Sequence, residues 1–373
     1  MMKVMLVCLD KSGIMYYAID LANHLNYKDN KVIFLGYNSA DEYLTKEIFC
    51  ITTPQRSLGR ILRSFLNTLF ELKPDIIHFT GFHPFFLPLS LIAKMLDIPT
   101  VLTLHDAIRH PSTNQPTFKQ LCTKIVTGRF LVKMLISSVS EVVALSNYVG
   151  DKIRATYIRK PYVIPLSQDI QRYKKYVTIS EEDIKTTINS TLNLLFFGTI
   201  DKYKGIEYLL KACELLIEKN VRFYLKIAGR AYSYKLIIPS SISDYVIIEN
   251  RFISESEIPY LFMNSDVVIL PYIEVSQSGV LPLAFAFGKP VIATNIGSFP
   301  ELVSNGINGF LVSPKSPGEI AERIVEIYFD RRLLCNLSRN AQETYNLKLN
   351  WSKLVDDYIK LYKILITQKE VVL

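Results

Sequence analysis

Short apolar runs alternate with segments of helical periodicity through the first half of the chain. The apolar runs predict strands at 4–9, 31–37, 76–80, 100–104, 141–145 and 162–164, and the longer segments predict helices at 13–25, 58–72 and 88–96. The runs VMLVCL and TVLTL are continuously apolar, which is typical of strands that are buried on both faces. This rhythm predicts a parallel sheet with helices on both sides.

A second series of the same kind follows a polar segment at 167–190 that lacks apolar periodicity. Its predicted strands lie at 192–197, 223–228, 245–249, 267–270 and 291–293, and its predicted helices at 206–218, 255–263, 280–287 and 317–328. We therefore predict an α/β protein with two Rossmann-like, doubly wound domains, 1–170 and 191–350, which face each other across a deep cleft. A linker is predicted at 171–190. An amphipathic C-terminal helix is predicted within 351–373, where it can pack back on the first domain.

Composition narrows the class of protein. The 373 residues are 49% hydrophobic, which is enough for two cores. Five cysteines without a CxxC pair or a metal-ligand spacing predict reduced thiols, no metal site and a cytoplasmic location. We expect no leader peptide, because Asp10 and Lys11 follow the first apolar run without a cleavage site. We also expect no membrane-spanning helix, since charged residues interrupt the most apolar stretch, 84–99.

The net charge of +8 is dispersed along the chain and accompanies no nucleic-acid-binding motif, so nucleic acid is not an expected partner. Phosphorylated substrates and an anionic membrane surface both remain compatible with it. The segment 109–133 interleaves Arg109, Lys119, Lys124, Arg129 and Lys133 with apolar residues. Such a segment fits peripheral docking on the inner face of a membrane as well as it fits a solvated helix face.

The segment FFGTIDKYKGI places a loop directly after a strand and before a helix. Gly198 and Gly205 bound the loop, and Lys204 stands at the start of the helix. Backbone N–H groups at such a helix start attract an anion, and the lysine adds a full positive charge. The pattern favours a diphosphate site, although an ordinary surface lysine at a glycine turn would have the same sequence pattern.

A second strand-to-helix segment runs from Glu274 to Gly288. Ser278 or Gly279 can start its helix, and a glycine at 279 would let a ligand approach the backbone closely. An ordinary buried strand–helix unit is the alternative interpretation. In a third segment, Ser298 and Glu301 have the spacing of a capping box, so Glu301 is a candidate either for that structural role or for ligand contact.

In the first half of the chain, His105 follows the predicted strand 100–104 and is expected at the edge of the cleft. His78 and His83 flank the end of another strand and are weaker candidates. Gly13 lies in a strand-to-helix loop, although the full GxGxxG pattern is absent.

Taken together, these segments resemble the family 4 retaining glycosyltransferases of the GT-B fold. The resemblance is carried by FFGTIDKYKGIEYLLKA and by the block from DVVILPYIEVSQSG to GINGFLV, and more loosely by PDIIHFTGFHP, PTVLTLHD and EVVALSNYVGDKI. It covers nearly the whole chain and is strongest in 192–312.

The resemblance implies transfer of a sugar from a nucleotide-sugar donor to a glycan or lipid-linked acceptor, with retention of configuration and without a metal or another cofactor. Lys204 matches the lysine that holds the donor diphosphate, and Ser278, Gly279 and Val280 match the segment that offers backbone N–H groups to the phosphates. His105 matches a histidine near the donor sugar. Arg251, Phe252 and Ile253 fall where backbone groups meet the nucleobase.

Some positions depart from the family pattern. The two glutamates that the family usually carries, with seven residues between them, fall on Val275 and Leu283, which leaves Glu274, one position away, as the candidate acid. Thr199 replaces a frequent arginine, so Lys202 or Lys204 must supply the positive charge. An intact fold with impaired catalysis, acting as a nucleotide-binding or scaffolding protein, is the alternative. A nicotinamide-dependent oxidoreductase is disfavoured because no glycine-rich fingerprint with a following acidic residue is present.

Overall fold

The computed structural model describes residues 1–10, 13–36, 42–52, 58–106, 118–176, 191–232 and 234–372, with the backbone alone at 118–127, 174 and 370–372. The chain divides into two compact units, Met1–Leu166 with Trp351–Leu373, and Ser167–Asn350. Each unit is built on its own parallel sheet.

The first unit contains the strands β1 (Lys3–Val7), β2 (Lys31–Gly36), β3 (Phe49–Thr52), β4 (Ile76–Thr80), β5 (Thr100–Leu104), β6 (Glu141–Ala144) and β7 (Tyr162–Val163). Their order in the sheet is β3-β2-β1-β4-β5-β6-β7, and neighbouring strands are parallel. The helices are α1 (Gly13–Tyr27), α2 (Leu58–Leu72), α3 (Phe86–Met95), α4 (Phe118–Ser138), α5 (Asn147–Tyr157) and the C-terminal helix Trp351–Val372.

Strand β1 shows how the two faces of this sheet are covered, because successive residues of a strand point to opposite sides. Val4 and Leu6 lie in a core that α1 and the C-terminal helix complete. Met5 and Val7 lie in the other core, which α2, α3, α4 and α5 complete. Both faces are therefore buried, as the continuously apolar strands predicted.

Polar contacts also tie the C-terminal helix into the first unit. The hydroxyls of Tyr17 and Tyr358 lie 2.6 Å apart. The buried His78 lies between the hydroxyl of Tyr362, 2.5 Å from its Nδ1, and the hydroxyl of Thr103, 2.7 Å from its Nε2. Burial lowers the pKa of His78 to about 3, so the imidazole is neutral at physiological pH. His78 is therefore a structural residue.

The second unit contains the strands β8 (Leu192–Phe197), β9 (Phe223–Gly229), β10 (Val246–Asn250), β11 (Val267–Leu270), β12 (Val291–Thr294) and β13 (Gly309–Val312). Its helices are α6 (Gln171–Lys174), α7 (Ile206–Glu218), α8 (Ile258–Met263), α9 (Val280–Ala286), α10 (Phe299–Leu302), α11 (Pro317–Phe329) and α12 (Arg331–Thr344). Two 3-10 helices, Lys202–Lys204 and Ser240–Tyr245, and a π-helical turn, Tyr345–Leu349, complete it.

The strand order β10-β9-β8-β11-β12-β13 makes β8 and β11 neighbours at the centre of this sheet. From β8 the chain continues to β9 on one side, and from β11 it continues to β12 on the other. The carboxyl ends of two such strands form the crevice in which doubly wound sheets bind ligands. The loops that follow β8 and β11 therefore begin side by side.

The α/β class and the two parallel sheets confirm the predicted fold. The strands of both sheets lie within one or two residues of most predicted positions, but β3, α5, β13 and α12 were not predicted. Strand β3 is at the edge of its sheet, and its residues are exposed or half-buried, so it lacks a strong apolar run. Helix α12 is polar, with Leu337 and Ala341 as its buried residues.

The domain boundary differs from the predicted one. The second unit begins at Ser167 rather than after 170, and the predicted linker begins with helix α6, whose Tyr173 is buried in the second core. The Ser167 hydroxyl donates a hydrogen bond to the Leu349 carbonyl, and the Tyr345 hydroxyl donates to the Gln168 carbonyl at 3.0 Å. These contacts join 167–168 to the end of the second unit, whereas 177–190 lie outside the described residues.

Candidate functional site

The lysine loop, which we define as Gly198–Gly205, follows β8 and leads into α7. Asp201 opens its 3-10 helix and accepts the Lys202 N–H with a side-chain oxygen at 2.6 Å. Gly205 ends that helix with a φ of +65°, and a Cβ there would lie 2.0 Å from the carbonyl oxygen of Pro271. Glycine is therefore required for the loop to lie against the chain that leaves β11.

Lys204 is a buried cation at the end of this loop. Its Nζ lies 3.7 Å from the ring centroid of Tyr272 and 5.0 Å from that of Tyr203. Burial lowers the pKa of Lys204 from 10.5 to about 8, although Tyr203 and Asp201 act in the opposite direction. Among the described residues, no carboxylate forms an ion pair with Lys204. The site thus holds a partly desolvated positive charge that an anionic ligand would neutralise.

Tyr272 connects Lys204 to the segment after β11. Its hydroxyl lies 3.3 Å from Ser278 Oγ, and its carbonyl accepts a 2.8 Å hydrogen bond from the Thr294 hydroxyl. Burial raises the pKa of Tyr272 to about 12, so the phenol stays protonated. The ring and the hydroxyl of one buried tyrosine therefore touch both halves of the predicted phosphate site.

The backbone N–H groups around Ser278 are not all free to bind a phosphate in this structure. The Val280 N–H donates to Ser278 Oγ at 3.3 Å, so this donor already has an intramolecular acceptor. Gly279 has a φ of −69°, which other residues also adopt, and a Cβ there would lie 3.0 Å from Gln168 Nε2. A glycine at 279 is thus favoured by space rather than by its backbone conformation.

The loop after β12 also packs against this segment. Gly297 has a φ of +58°, and a Cβ on it would lie 2.2 Å from the Val275 carbonyl oxygen. Ser298 precedes α10, but its side chain makes no capping hydrogen bond, so the serine half of a capping box with Glu301 is not formed. Glu301 is half-buried in α10. Three loops, after β8, β11 and β12, thus meet at one edge of the sheet.

The candidate acids lie in different environments. Leu283 and Val275, which stand where the family carries glutamates, are buried in the core of the second unit. The side chain of Glu274 is exposed beside them. Thr199 is half-buried in the lysine loop, and Lys202 is exposed there.

The segment Arg251–Ile253 follows β10 at the edge of the sheet. Arg251 donates to Glu249 at 2.7 Å and to Glu257 at 3.0 Å, and the exposed Phe252 and buried Ile253 follow it. Hydrogen bonds from Arg251 and Ser254 lower the pKa of Glu257 to about 2. The guanidinium of Arg251 is thus held by two carboxylates and also donates to the Phe252 carbonyl at 3.2 Å.

A cavity of about 370 Å³ opens beside this segment, and no motif in the sequence predicts it. Residues from the ends of β8, β9 and β10 line it, among them Ile200, Tyr232, Tyr234, Ile248 and Asn250. In the sequence, the available signal for this cavity was the pair Tyr232 and Tyr234 shortly after β9, but tyrosine is common in protein cores as well.

His105 and Gly13 belong to the first unit. His105 follows β5, is partly exposed, and has its Nδ1 3.2 Å from a carboxylate oxygen of Asp106. Gly13 begins α1, and a Cβ on it would meet no atom within 4 Å. Both residues therefore lie at strand-to-helix connections of their own sheet. The basic residues Arg109 and His110 lie outside the described residues.

Two relatives and two solved structures place the chain among known proteins. An uncharacterised glycosyltransferase of Methanocaldococcus jannaschii is 23% identical over 364 residues, which cover 94% of each chain. Spore coat protein SA of Bacillus subtilis is 23% identical over 62% of this chain and 67% of its own.

Both structures share the fold of this chain. Sucrose-phosphate synthase from Thermosynechococcus elongatus superimposes with a TM-score of 0.75 at 16% identity, over 99% of this chain and 100% of the other. Anabaena HepE, in complex with UDP and glucose, superimposes with a TM-score of 0.75 at 21% identity, over 97% and 100%.

Two family models match the two halves of the chain. The model described as Glycosyltransferase Family 4 matches residues 11–172, and the one described as Glycosyl transferases group 1 matches residues 191–330. The resemblance inferred from the motifs is thereby confirmed. The chain belongs to the family 4-type glycosyltransferases with the GT-B fold.

Proposed function

We propose that this glycosyltransferase uses a nucleotide-sugar donor, releases the nucleoside diphosphate, and transfers the sugar with retention of configuration to a glycan or lipid-linked acceptor. The single observation that carries the proposal is the buried ammonium of Lys204, next to the loops that follow β8 and β11. The structure of Anabaena HepE with UDP-glucose supports a donor of this type. Biosynthesis of a surface polysaccharide or a glycolipid is the setting that we propose.

The role of Lys204 follows from the charge that develops in the reaction. When the bond between the sugar and the diphosphate breaks, negative charge accumulates on the leaving phosphate. A preformed, partly desolvated cation stabilises that charge without the cost of reorganising water. Lys202 would add positive charge, and the start of α7 after Gly205 would add N–H groups, around the same anion. Gly198 would allow the loop to turn there, since its own N–H donates to the Ala228 carbonyl.

The segment Ser278–Val280 would bind the other phosphate oxygens. Because the Val280 N–H already donates to Ser278 Oγ, we propose that a phosphate oxygen replaces this hydroxyl as its acceptor. The freed hydroxyl of Ser278 can then donate to the phosphate itself. His105 and Glu274 are proposed to lie near the donor sugar, and the backbone of Arg251–Ile253, beside the cavity, near the nucleobase.

We propose that the reaction needs no metal and no cofactor other than the nucleotide-sugar substrate, because lysine and backbone groups supply the positive charge. Unchanged turnover in the presence of EDTA would support this part of the proposal. A turnover that returns only on addition of a divalent cation would contradict it.

The experiment that tests the site compares Lys204→Ala with Lys219→Ala, an exposed lysine at the end of α7. A screen of nucleotide sugars by thermal shift first identifies the donor, since a ligand at 100 times its Kd stabilises a protein by about 2.7 kcal/mol. We then expect Lys204→Ala to lower donor turnover about 100-fold or more, while Lys219→Ala stays near wild type.

Near-normal turnover in Lys204→Ala would contradict the site assignment. A wild-type protein that binds the donor without consuming it, with acceptors extracted from its own source, would contradict transfer. For His105→Ala we expect turnover to decrease more than nucleotide affinity.

A lipid-linked acceptor would require the protein to work at a membrane. No helix within the described parts of the chain is long and apolar enough to cross one. We propose peripheral association with an anionic membrane surface, from the cytoplasmic side, because basic and apolar residues are interleaved in the segment 109–133.

A further inference from the structure

Helices α3 and α4 lie next to each other on one face of the first sheet. Their buried residues, such as Leu89 and Leu135, belong to the same core. The hydroxyls of Ser90 and Ser138 lie 2.6 Å apart and are buried between the two helices. The two helices therefore pack directly against each other, and we call the solvent-exposed side of this pair the α3–α4 face.

Large apolar side chains are exposed on this face. On α3, Leu91 and Met95 are one turn apart, and Met95 is 85% exposed. On α4, Phe130 and Met134 are also one turn apart, and Phe130 is 61% exposed. Residues four apart lie on the same side of a helix, so each pair forms a short apolar row.

Cations accompany these rows. Arg129 and Lys133 form a second exposed row on α4, about 100° around the helix from Phe130 and Met134, and Lys94 is exposed on α3. The sequence of α3 contains one lysine, that of α4 contains four lysines and arginines, and neither contains aspartate or glutamate. Across the whole chain, by contrast, 43 basic residues stand against 35 acidic ones.

This combination of exposed apolar groups and exposed cations restricts the chemistry of the partner. A second copy of the same face would bring cations against cations, which is unfavourable. The headgroup region of an anionic bilayer offers phosphates for the cations and an apolar layer just below for phenylalanine, leucine and methionine. We propose that the α3–α4 face docks this enzyme on the surface of an anionic membrane. The inference rests on the proposed use of a lipid-linked acceptor and names the surface that would reach it.

The test uses the full chain and vesicles of phosphatidylcholine, with or without phosphatidylglycerol, in a co-sedimentation assay. We expect association with the anionic vesicles only, and weaker association as salt is added. Arg129→Gln with Lys133→Gln should weaken the partition about 25-fold, because each basic residue near the surface contributes about fivefold. Phe130→Ser with Met134→Ser should abolish the association that persists in salt. The matched control, Lys211→Gln on α7 with Lys219→Gln just after it, should leave the partition onto anionic vesicles unchanged.

Several results would overturn the inference. These are equal association with both vesicles, no association of the wild type, or an unchanged partition in both α4 double variants. Wild-type dimerisation that the α4 substitutions abolish, without vesicle binding, would assign the face to a second copy instead. Thermal shift with UDP separates this inference from the proposed function: the α4 variants should keep the wild-type shift. A wild type that binds vesicles but no nucleotide would remove only the donor proposal.

Discussion

The ammonium nitrogen of Lys204 lies 3.7 Å from the ring centroid of Tyr272, at the junction of the loops that follow β8 and β11. The π face of a tyrosine attracts a cation, and this attraction increases when water is excluded. Lys204 is thus oriented before any ligand binds. The hydroxyl of the same tyrosine lies 3.3 Å from Ser278 Oγ, so Tyr272 positions both Lys204 and the start of α9.

Substitutions of Tyr272 should separate the contribution of the ring from that of the hydroxyl. Tyr272→Phe keeps the ring under Lys204, so we expect donor affinity to change less than about threefold. Tyr272→Leu removes the ring that orients Lys204, and we expect donor affinity to decrease by up to about 30-fold, the equivalent of the roughly 2 kcal/mol of a desolvated cation–π contact. Donor affinity is measured by calorimetry.

Loss of a buried ring also destabilises the fold, so unfolding free energies of both variants must be measured in urea. Affinities are then compared at temperatures where each variant is folded. Equal affinities for the leucine and phenylalanine variants would show that the ring does not position Lys204.

The pKa of Lys204 predicts how stability depends on pH. The value is about 8 in the folded protein and 10.5 for an ordinary lysine, a difference of about 3 kcal/mol at pH values below 8. Because the unfolded chain binds this proton more tightly, stability should increase as pH rises from about 8 to 10.5. We expect Lys204→Met to stabilise the unliganded protein at pH 7 by on the order of 1–3 kcal/mol and to lose this part of the pH dependence. Denaturation in urea at pH 7 and pH 10 provides the comparison.

Donor binding should raise the pKa of the same lysine, because a diphosphate favours the charged form. Near pH 8.5 the protein should therefore take up a fraction of a proton when it binds UDP. Calorimetry in two buffers of different ionisation enthalpy measures that uptake. No uptake in the wild type, or the same uptake in Lys204→Met, would contradict this assignment.

Gly205→Ala should damage both the fold and the site. The new Cβ would stand 2.0 Å from the Pro271 carbonyl oxygen at a φ of +65°, so the lysine loop must move away from β11. We expect a loss of about 2–4 kcal/mol in the unfolding free energy together with weaker donor binding. Gly318→Ala is the matched control in the same unit, because a Cβ there meets open space. Similar stabilities of the two variants would show that the loop can relax without cost.

How much of this could be predicted from the sequence depends on whether a feature is local. The apolar strands and the loop with Lys204 were predicted because strand, glycine and lysine stand within a few residues of one another. Tyr272 was not singled out, since a tyrosine after a strand looks like a core residue unless the neighbouring strand is known. Only the pairing of β8 with β11 brings it under Lys204.

The domain boundary shows the same limit. The polarity of 167–190 predicted a linker, but the contacts that assign 167–168 to the second unit come from Tyr345 and Leu349, far along the chain. Gly205 illustrates the same limit: the sequence predicts it as the end of the loop, while its close approach to Pro271 depends on tertiary structure.

The neutral, buried His78 should make the first unit sensitive to acid. Its pKa is about 3 in the folded protein and 6.5 for an ordinary histidine, so its contribution to stability is complete above pH 6.5 and is lost as pH falls toward 3. At pH 5 the expected loss from this residue is about 2 kcal/mol. His78→Gln cannot take up that proton, and its stability should therefore fall less between pH 7.5 and pH 5. Urea denaturation of both proteins at the two pH values, followed by circular dichroism, measures the difference. Parallel losses in the wild type and the variant would mean that other groups account for the acid sensitivity, and that His78 is protonated without cost between Tyr362 and Thr103.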